Sequence, residues 1–200
     1  MSGTFPSSPA PQSIEVQSLE PTLVSTTINL KRQARSRGGQ RWGFKVVFAP
    51  MSRANFDPIF AFSVKQRGQY ETFTWVPTTI GTTRGETGES PVVDGAVSVG
   101  ATSCSLKDLT ASTTNIMKSG DFFKFSGQNK IYMCTSDMSS DGSGDATLSF
   151  APKLATAVAD DETLTINSVP FNVSFASDIA SYGTNVTGYY SYEIELVEVP

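Results

Sequence analysis

Cys104, Cys134 and two groups of aspartates are the first places to look for a nucleophile or a metal ligand in this 200-residue chain, because histidine is absent. Without histidine there is no Ser-His-Asp or Cys-His nucleophile and no His-based zinc site, and two thiols are too few for a Cys-rich metal site. Asp137, Asp141 and Asp145 in "DMSSDGSGD" have the acid density of a calcium loop but lack the EF-hand spacing and its terminal Glu. Their Asp-Gly step supplies the positive φ of a tight turn, so a hairpin turn is expected there. Asp160 and Asp161 open a short strand and read as solvated turn chemistry. Gly38-Gly39 has no Lys-Ser/Thr partner and no strand-to-helix context for cradling phosphate. The reading is a non-enzyme with no cofactor and no metal.

Charge is the stronger signal. Lys31, Arg32, Arg35, Arg37, Arg41, Lys45 and Arg53 follow one another with no acid between them, yet the whole chain carries −4, so the remainder is strongly acidic. Such a chain is complementary to a second copy of itself. Arg35, Arg37 and Arg41 around Trp42 could also hold a nucleic-acid backbone with a stacked base, or be the solvated face of a strand whose other face carries Trp42, Phe44 and Val46. Subunit contact is the favoured reading, with Lys31, Arg32, Arg35, Arg37, Arg41, Arg53 and Arg67 as candidate interface residues. A charged content of only 17% agrees with a surface partly destined for other subunits.

The elements that must carry these residues are mostly strands. "RWGFKVVF" and "YYSYEIELVEVP" alternate with period two, placing Trp42, Phe44, Val46 and Phe48, and Tyr190, Tyr192, Ile194 and Leu196, each on one buried face. One amphipathic helix is expected after Ser52, with Phe56, Ile59, Phe60, Ser63 and Val64 as its stripe, Pro58 in its first turn and Gly68 as its stop. Residues 78–98 are rich in Gly and Thr and read as a linker or a long hairpin. "DFFKFSG", "KIYMCTS" and "TLSF" then belong to some six short strands of a small closed barrel, and "VPFNVSF" returns to the earlier style. The predicted fold is mainly β: a β-sandwich carrying one helix, formed by 14–85 and 168–200, with a small β-barrel inserted at 86–167. Residues 1–13, rich in Ser and Pro, form an extended arm ordered by contact with something else. No apolar run has the roughly 20 residues of a membrane span, and the start lacks the features of a secretory leader. A cytoplasmic chain with free thiols is expected.

The pieces "GGQRW", "PMSRANFDPIFAF" and "QRGQYETF" resemble the N-terminal part of a family of tail proteins of tailed bacteriophages, and "KSGDFFKFSGQNKIYMCTSDMSSDGSGDATLSFAPKL" resembles the small barrel these proteins carry as an insert. The resemblance covers residues 20–200. It implies a distal tail or baseplate component of the virion, assembled in the host cytoplasm. Such proteins form a ring, typically of six copies, that joins the tail tube to the baseplate hub and to tape-measure or tail-fibre proteins. No membrane and no specific nucleic acid are implied. A tail-tube or tail-terminator/connector subunit is the alternative, and a nucleic-acid-binding β-barrel protein the lesser one. The insert lacks a carbohydrate-binding aromatic cluster, so direct receptor binding is not implied.

Overall fold

A computed structural model describes residues 3–85 and 88–200. In chain order the elements are β1 (Ser13–Leu19), β2 (Thr22–Thr26), β3 (Arg32–Ser36), β4 (Arg41–Val47), α1 (Arg53–Lys65), β5 (Phe73–Trp75), β6 (Val92–Val93), β7 (Ser103–Lys107), β8 (Phe122–Phe125), β9 (Ile131–Cys134), β10 (Ala146–Ala151), β11 (Leu164–Thr165), β12 (Phe171–Phe175), β13 (Tyr182–Thr184) and β14 (Tyr190–Glu198). The protein is mainly β with one helix, as the sequence predicts. Its residues form two compact units: Met1–Ala10, Glu71–Val173 and Val199–Pro200 make the barrel unit, and Pro11–Tyr70 with Ser174–Glu198 make the helix unit. The expected insert boundary at residue 86 lies outside the described residues.

In the helix unit the strands run in the order β1, β4, β14, with β13 paired to β14, and among the described residues β2 pairs with β3 alone. The period-two pattern decides the inward face. Trp42, Phe44, Val46 and Phe48 of β4 and its exit are buried, as are Tyr192, Ile194 and Leu196 of β14. These two strands pair antiparallel, with Ile194 opposite Val46 and Leu196 opposite Phe44, so large side chains meet across the ladder. The alternation continues one step further than the apolar residues do. Glu198 also points inward, fully buried, and its Oε2 accepts the Trp42 N–H at 3.0 Å.

Helix α1 buries Phe56, Ile59 and Ser63. Two details differ from expectation. Pro58 lies inside the helix rather than in its first turn, because buried Phe56 precedes it and holds that turn in place. Val64 is exposed rather than buried. Ser52 is the N-cap residue by its extended backbone, but its side chain makes no capping bond. The helix ends where Arg67 and Gly68 take positive φ of 56° and 65°. A side chain at Gly68 would also meet Asp178, whose Cα would stand 2.9 Å from the added Cβ. Glycine therefore satisfies both the turn and the close approach.

In the barrel unit one sheet runs β11, β8, β9, β10, β7, β6. Its edges meet: Val93 N–H bonds Glu162 O at 2.9 Å, Asp161 N–H bonds Val93 O at 3.1 Å, and Leu164 N–H bonds Pro91 O at 3.0 Å, carrying the sheet round into a nearly closed barrel. Phe123, Phe125, Tyr132 and Phe150 fill it, with ring centroids 5.4–6.0 Å apart. The double aromatic "FF" of β8 serves two faces. Phe123 points into the barrel core, whereas Phe122 lies edge-on to Phe171 of β12. Phe171 to Val173 pair with Trp75 to Phe73 of β5, and residues 3–5 add to the other side of β5, where Phe5 stacks on Phe73. The extended start of the chain is thus held by its own β5.

The segment that leads into the barrel is pinned, not loose. Thr83 N–H bonds Ile166 O, and Val169 N–H bonds Gly81 O, so the chain entering and the chain leaving are zipped together. Asp121, with a side chain only 2% exposed, accepts bonds from the Thr83 hydroxyl at 2.7 Å, the Lys118 N–H at 2.8 Å, the Arg84 Nε at 2.9 Å and the Arg84 N–H at 3.1 Å. Burial pushes its carboxyl up, but the donors from Lys118, Arg84 and Thr83 outweigh it and hold the group below the usual carboxylate range. The ionised form is therefore the one that stabilises the fold. Its contribution is complete above the unfolded value and is lost as pH falls through the lower folded one. Asp121→Asn is expected to cost about 2–3 kcal/mol at neutral pH, and the deficit should shrink below about pH 4. Thermal unfolding across that range measures it, and a deficit independent of pH contradicts the assignment.

Candidate assembly surface

The hairpin of β2 and β3 has an unusual character for a globular protein: every residue of both strands is exposed. Its register sets Leu23 opposite Arg35, Val24 opposite Ala34 and Thr26 opposite Arg32. The Arg37 N–H closes the base on Pro21 O, and the tip turns through Thr27 and Leu30, with Leu30 at φ 62°. Isolated two-stranded hairpins are marginal in water, and this one has two open edges. At the tip Ile28 is 99% exposed and Leu30 85%, with Lys31 and Arg32 following at once.

A second feature of the helix unit lies at β14. Ala176 N–H bonds Glu195 O, and Tyr182 pairs with Tyr192. Residues 177–181 therefore stand opposite only Glu193 and Ile194, and the chain must bow away from β14. Helix α1 closes the other side, with Phe56 stacked on Tyr190 at 4.8 Å and Phe60 edge-on to Tyr182 at 5.0 Å. The result is a groove of about 730 Å³, whose walls include Val64, Ile179, Tyr182 and Tyr192 and whose polar lining includes Asp178, Glu193 and Glu195.

The seven cations singled out from the sequence fall in separate places. Lys31, Arg32, Arg35 and Arg37 lie on or beside the β2–β3 arm. Arg41 begins β4 opposite Leu19. Arg53 begins α1 and pairs with Asp57 at 3.2 Å, and Arg67 follows the helix, its guanidinium 4.4 Å from the Tyr70 ring centre. Lys45, part of the same basic run, is tied to Glu193 at 2.8 Å, and that hydrogen bond raises its pKa. The idea of Arg35, Arg37 and Arg41 flanking an accessible Trp42 is corrected in two respects: Arg35 belongs to a different strand, and Trp42 is buried. No base can stack on it there.

The aspartates and cysteines singled out from the sequence sit in structural contacts. Asp141 Oδ1 accepts the N–H groups of Asp145 and Ser143, which lower its pKa and form the expected turn. Asp160 and Asp161 do more than cap a turn, because Lys107 Nζ reaches both, at 3.2 and 2.6 Å, near the barrel seam. Both cysteines are free and buried, and burial pushes the Cys104 thiol up to about 12. Among the described residues no group of three His, Cys, Asp or Glu could hold a metal, and no helix is long and apolar enough to cross a membrane.

These features define a mainly β protein whose ionisable side chains serve structure and whose exposed apolar side chains gather on the helix unit. Residues 82–169 match the family described as "Distal tail protein pb9, B domain". The match places that segment with the phage distal tail family and supports a structural role in a phage tail. No curated protein matches the chain.

Because Ile28 and Leu30 touch almost nothing, Ile28→Ser with Leu30→Ser is expected to change monomer stability by no more than about 0.5 kcal/mol. Phe56→Ala, which empties the space under α1, should cost about 3–5 kcal/mol. Urea unfolding of the two variants compares them directly, and a large loss in the arm variant would show that the arm packs on its own unit.

Proposed function

We propose that the protein is a distal tail component that closes into a ring, of six copies, at the end of the tail tube. The ring joins the tube to the baseplate hub and to tape-measure or tail-fibre proteins, and the inserted β-barrel is a second domain. The distribution of exposed apolar side chains carries this reading. Leu23, Val24, Ile28 and Leu30 on the arm, Val64, Ile179 and Tyr182 beside the helix, and Val186 in the turn between β13 and β14 all belong to the helix unit. On the barrel unit Val99 is the large exposed apolar residue among those described. Surfaces of this kind mark association sites, so the helix unit builds the assembly.

A chain that offers one patch to a different patch on its neighbour must close into a ring or grow into a filament. Native mass measurement and electron microscopy of the purified protein separate ring, tube and monomer. A closed six-fold species is expected; a tube favours the tail-tube alternative, and a strict monomer both at high protein concentration and within virions contradicts the proposal. The arm cations supply the charge side of the contact. Exposed pairs contribute only about 0–1 kcal/mol each, so the double reversal Arg35→Glu with Arg37→Glu is the fair test. It should weaken assembly and leave monomer melting unchanged. If it assembles normally and instead loses affinity for DNA, these cations serve nucleic acid.

A further inference from the structure

We infer that the groove between α1, residues 177–181 and β14 is the receptor for the β2–β3 arm of a second copy, with the apolar tip of that arm seated among Val64, Ile179, Tyr182 and Tyr192. The inference rests on the ring reading above and adds the two surfaces that meet.

The arm needs a cover. Among the described residues it pairs with no other strand and both its edges are open, and Ile28 and Leu30 stand in water at its end. The groove needs an occupant of matching character. Its mouth carries Ile179 at 80% exposure and Val64 at 56%, so its apolar wall is not closed by the chain's own side chains. At about 730 Å³ it is large enough for two branched side chains, and a hairpin tip is narrow enough to enter it.

Charge selects the occupant. The arm tip is followed by Lys31 and Arg32, with Arg35 further back, and contains no acid between residues 21 and 37. The groove is lined by Asp178, Glu193 and Glu195, with Arg67 at the helix end and Glu193 already paired with Lys45, so Asp178 and Glu195 are the carboxylates that favour a basic occupant. A hairpin of this chain thus brings cations to carboxylates as its apolar tip enters an apolar wall, and rim pairs of that kind set orientation and register. A nucleic acid would face the same carboxylates and be repelled. Donor and acceptor are different surfaces of one unit, so each copy can give its arm to one neighbour and receive the arm of another, which is the head-to-tail arrangement a closed ring requires.

Cysteine cross-linking of the full chain tests the contact, since native Cys104 and Cys134 are buried and poor thiolates. The chain carrying Ile28→Cys and Val64→Cys is oxidised under conditions where the unmodified chain forms rings, then run on a denaturing gel without reductant. A ladder of covalent multiples of the chain is expected, collapsing to one band on reduction, with Ile28→Cys alone giving no ladder. A cross-linked monomer would mean that the arm folds back into its own groove and would overturn the inference. Rings that form without any cross-link would also overturn it while leaving the ring reading intact. If the unmodified chain makes no ring, both fall together. As a second measure, Val64→Arg should abolish the ring without shifting monomer melting, because Val64 is exposed in the free chain.

Discussion

The register of β4 against β14 is the constraint on which the helix unit depends. Glu193 stands opposite Val47 and Val197 opposite Gly43, and side chains alternate faces at every step between. A slip of one residue would turn Trp42, Phe44 and Val46 to water and bring Lys45 and Glu195 inside. Everything above this ladder follows from it. Tyr190 and Tyr192 offer rings to Phe56 and Phe60, so α1 can lie only where those aromatics interlock. The helix stop then brings Gly68 against Asp178, and residues 177–181 must bow outward. The groove is thus a by-product of how the helix is anchored.

The barrel solves the same problem of strand edges by closure. Its edge strands meet through the backbone of Val93, Glu162, Pro91 and Leu164, so the carbonyl and N–H groups that would otherwise seek a partner are used internally. Buried polar groups follow the same rule. The Tyr132 hydroxyl donates to Gln128 Oε1 and accepts the Ala155 N–H, and Asp121 is surrounded by donors. The arm is the opposite case, with open edges and exposed apolar side chains. That contrast explains why association is assigned to the helix unit rather than to the barrel.

Strands with one buried face were legible because burial writes a period of two into the sequence. β4 and β14 are of this kind, whereas β8, β9 and β12 bury consecutive residues and were legible as short apolar runs. The arm was not legible for the corresponding reason: nothing along it is buried, so Leu23, Val24, Ile28 and Leu30 follow no period, and its arginines were read onto the strand of Trp42. Pro58 misplaced the start of α1 because local propensity disfavours an interior proline, while tertiary packing of Phe56 overrides that preference. The ionic pins were invisible for a third reason. Arg84 meets Asp121 across 37 positions, Lys107 meets Asp160 across 53, and Trp42 meets Glu198 across 156. No local pattern records such pairs. The one available hint was Glu198, which occupies an inward step of the alternation in β14.

The placing of cations and apolar groups on the arm favours the proposed protein surface over a nucleic acid. Phosphate recognition uses cations and, in single strands, an exposed aromatic on which a base can stack. The arm residues 21–37 contain no aromatic side chain, and the neighbouring Trp42 is buried. What the arm tip presents instead is two branched aliphatic side chains, Ile28 and Leu30, each gaining about 1.5–3 kcal/mol when fully buried, beside cations that gain little in water. In the proposed contact apolar burial would therefore supply most of the attraction, and the charges would decide direction. A protein groove with apolar walls and acidic edges answers both demands, whereas a polyanion answers only the second.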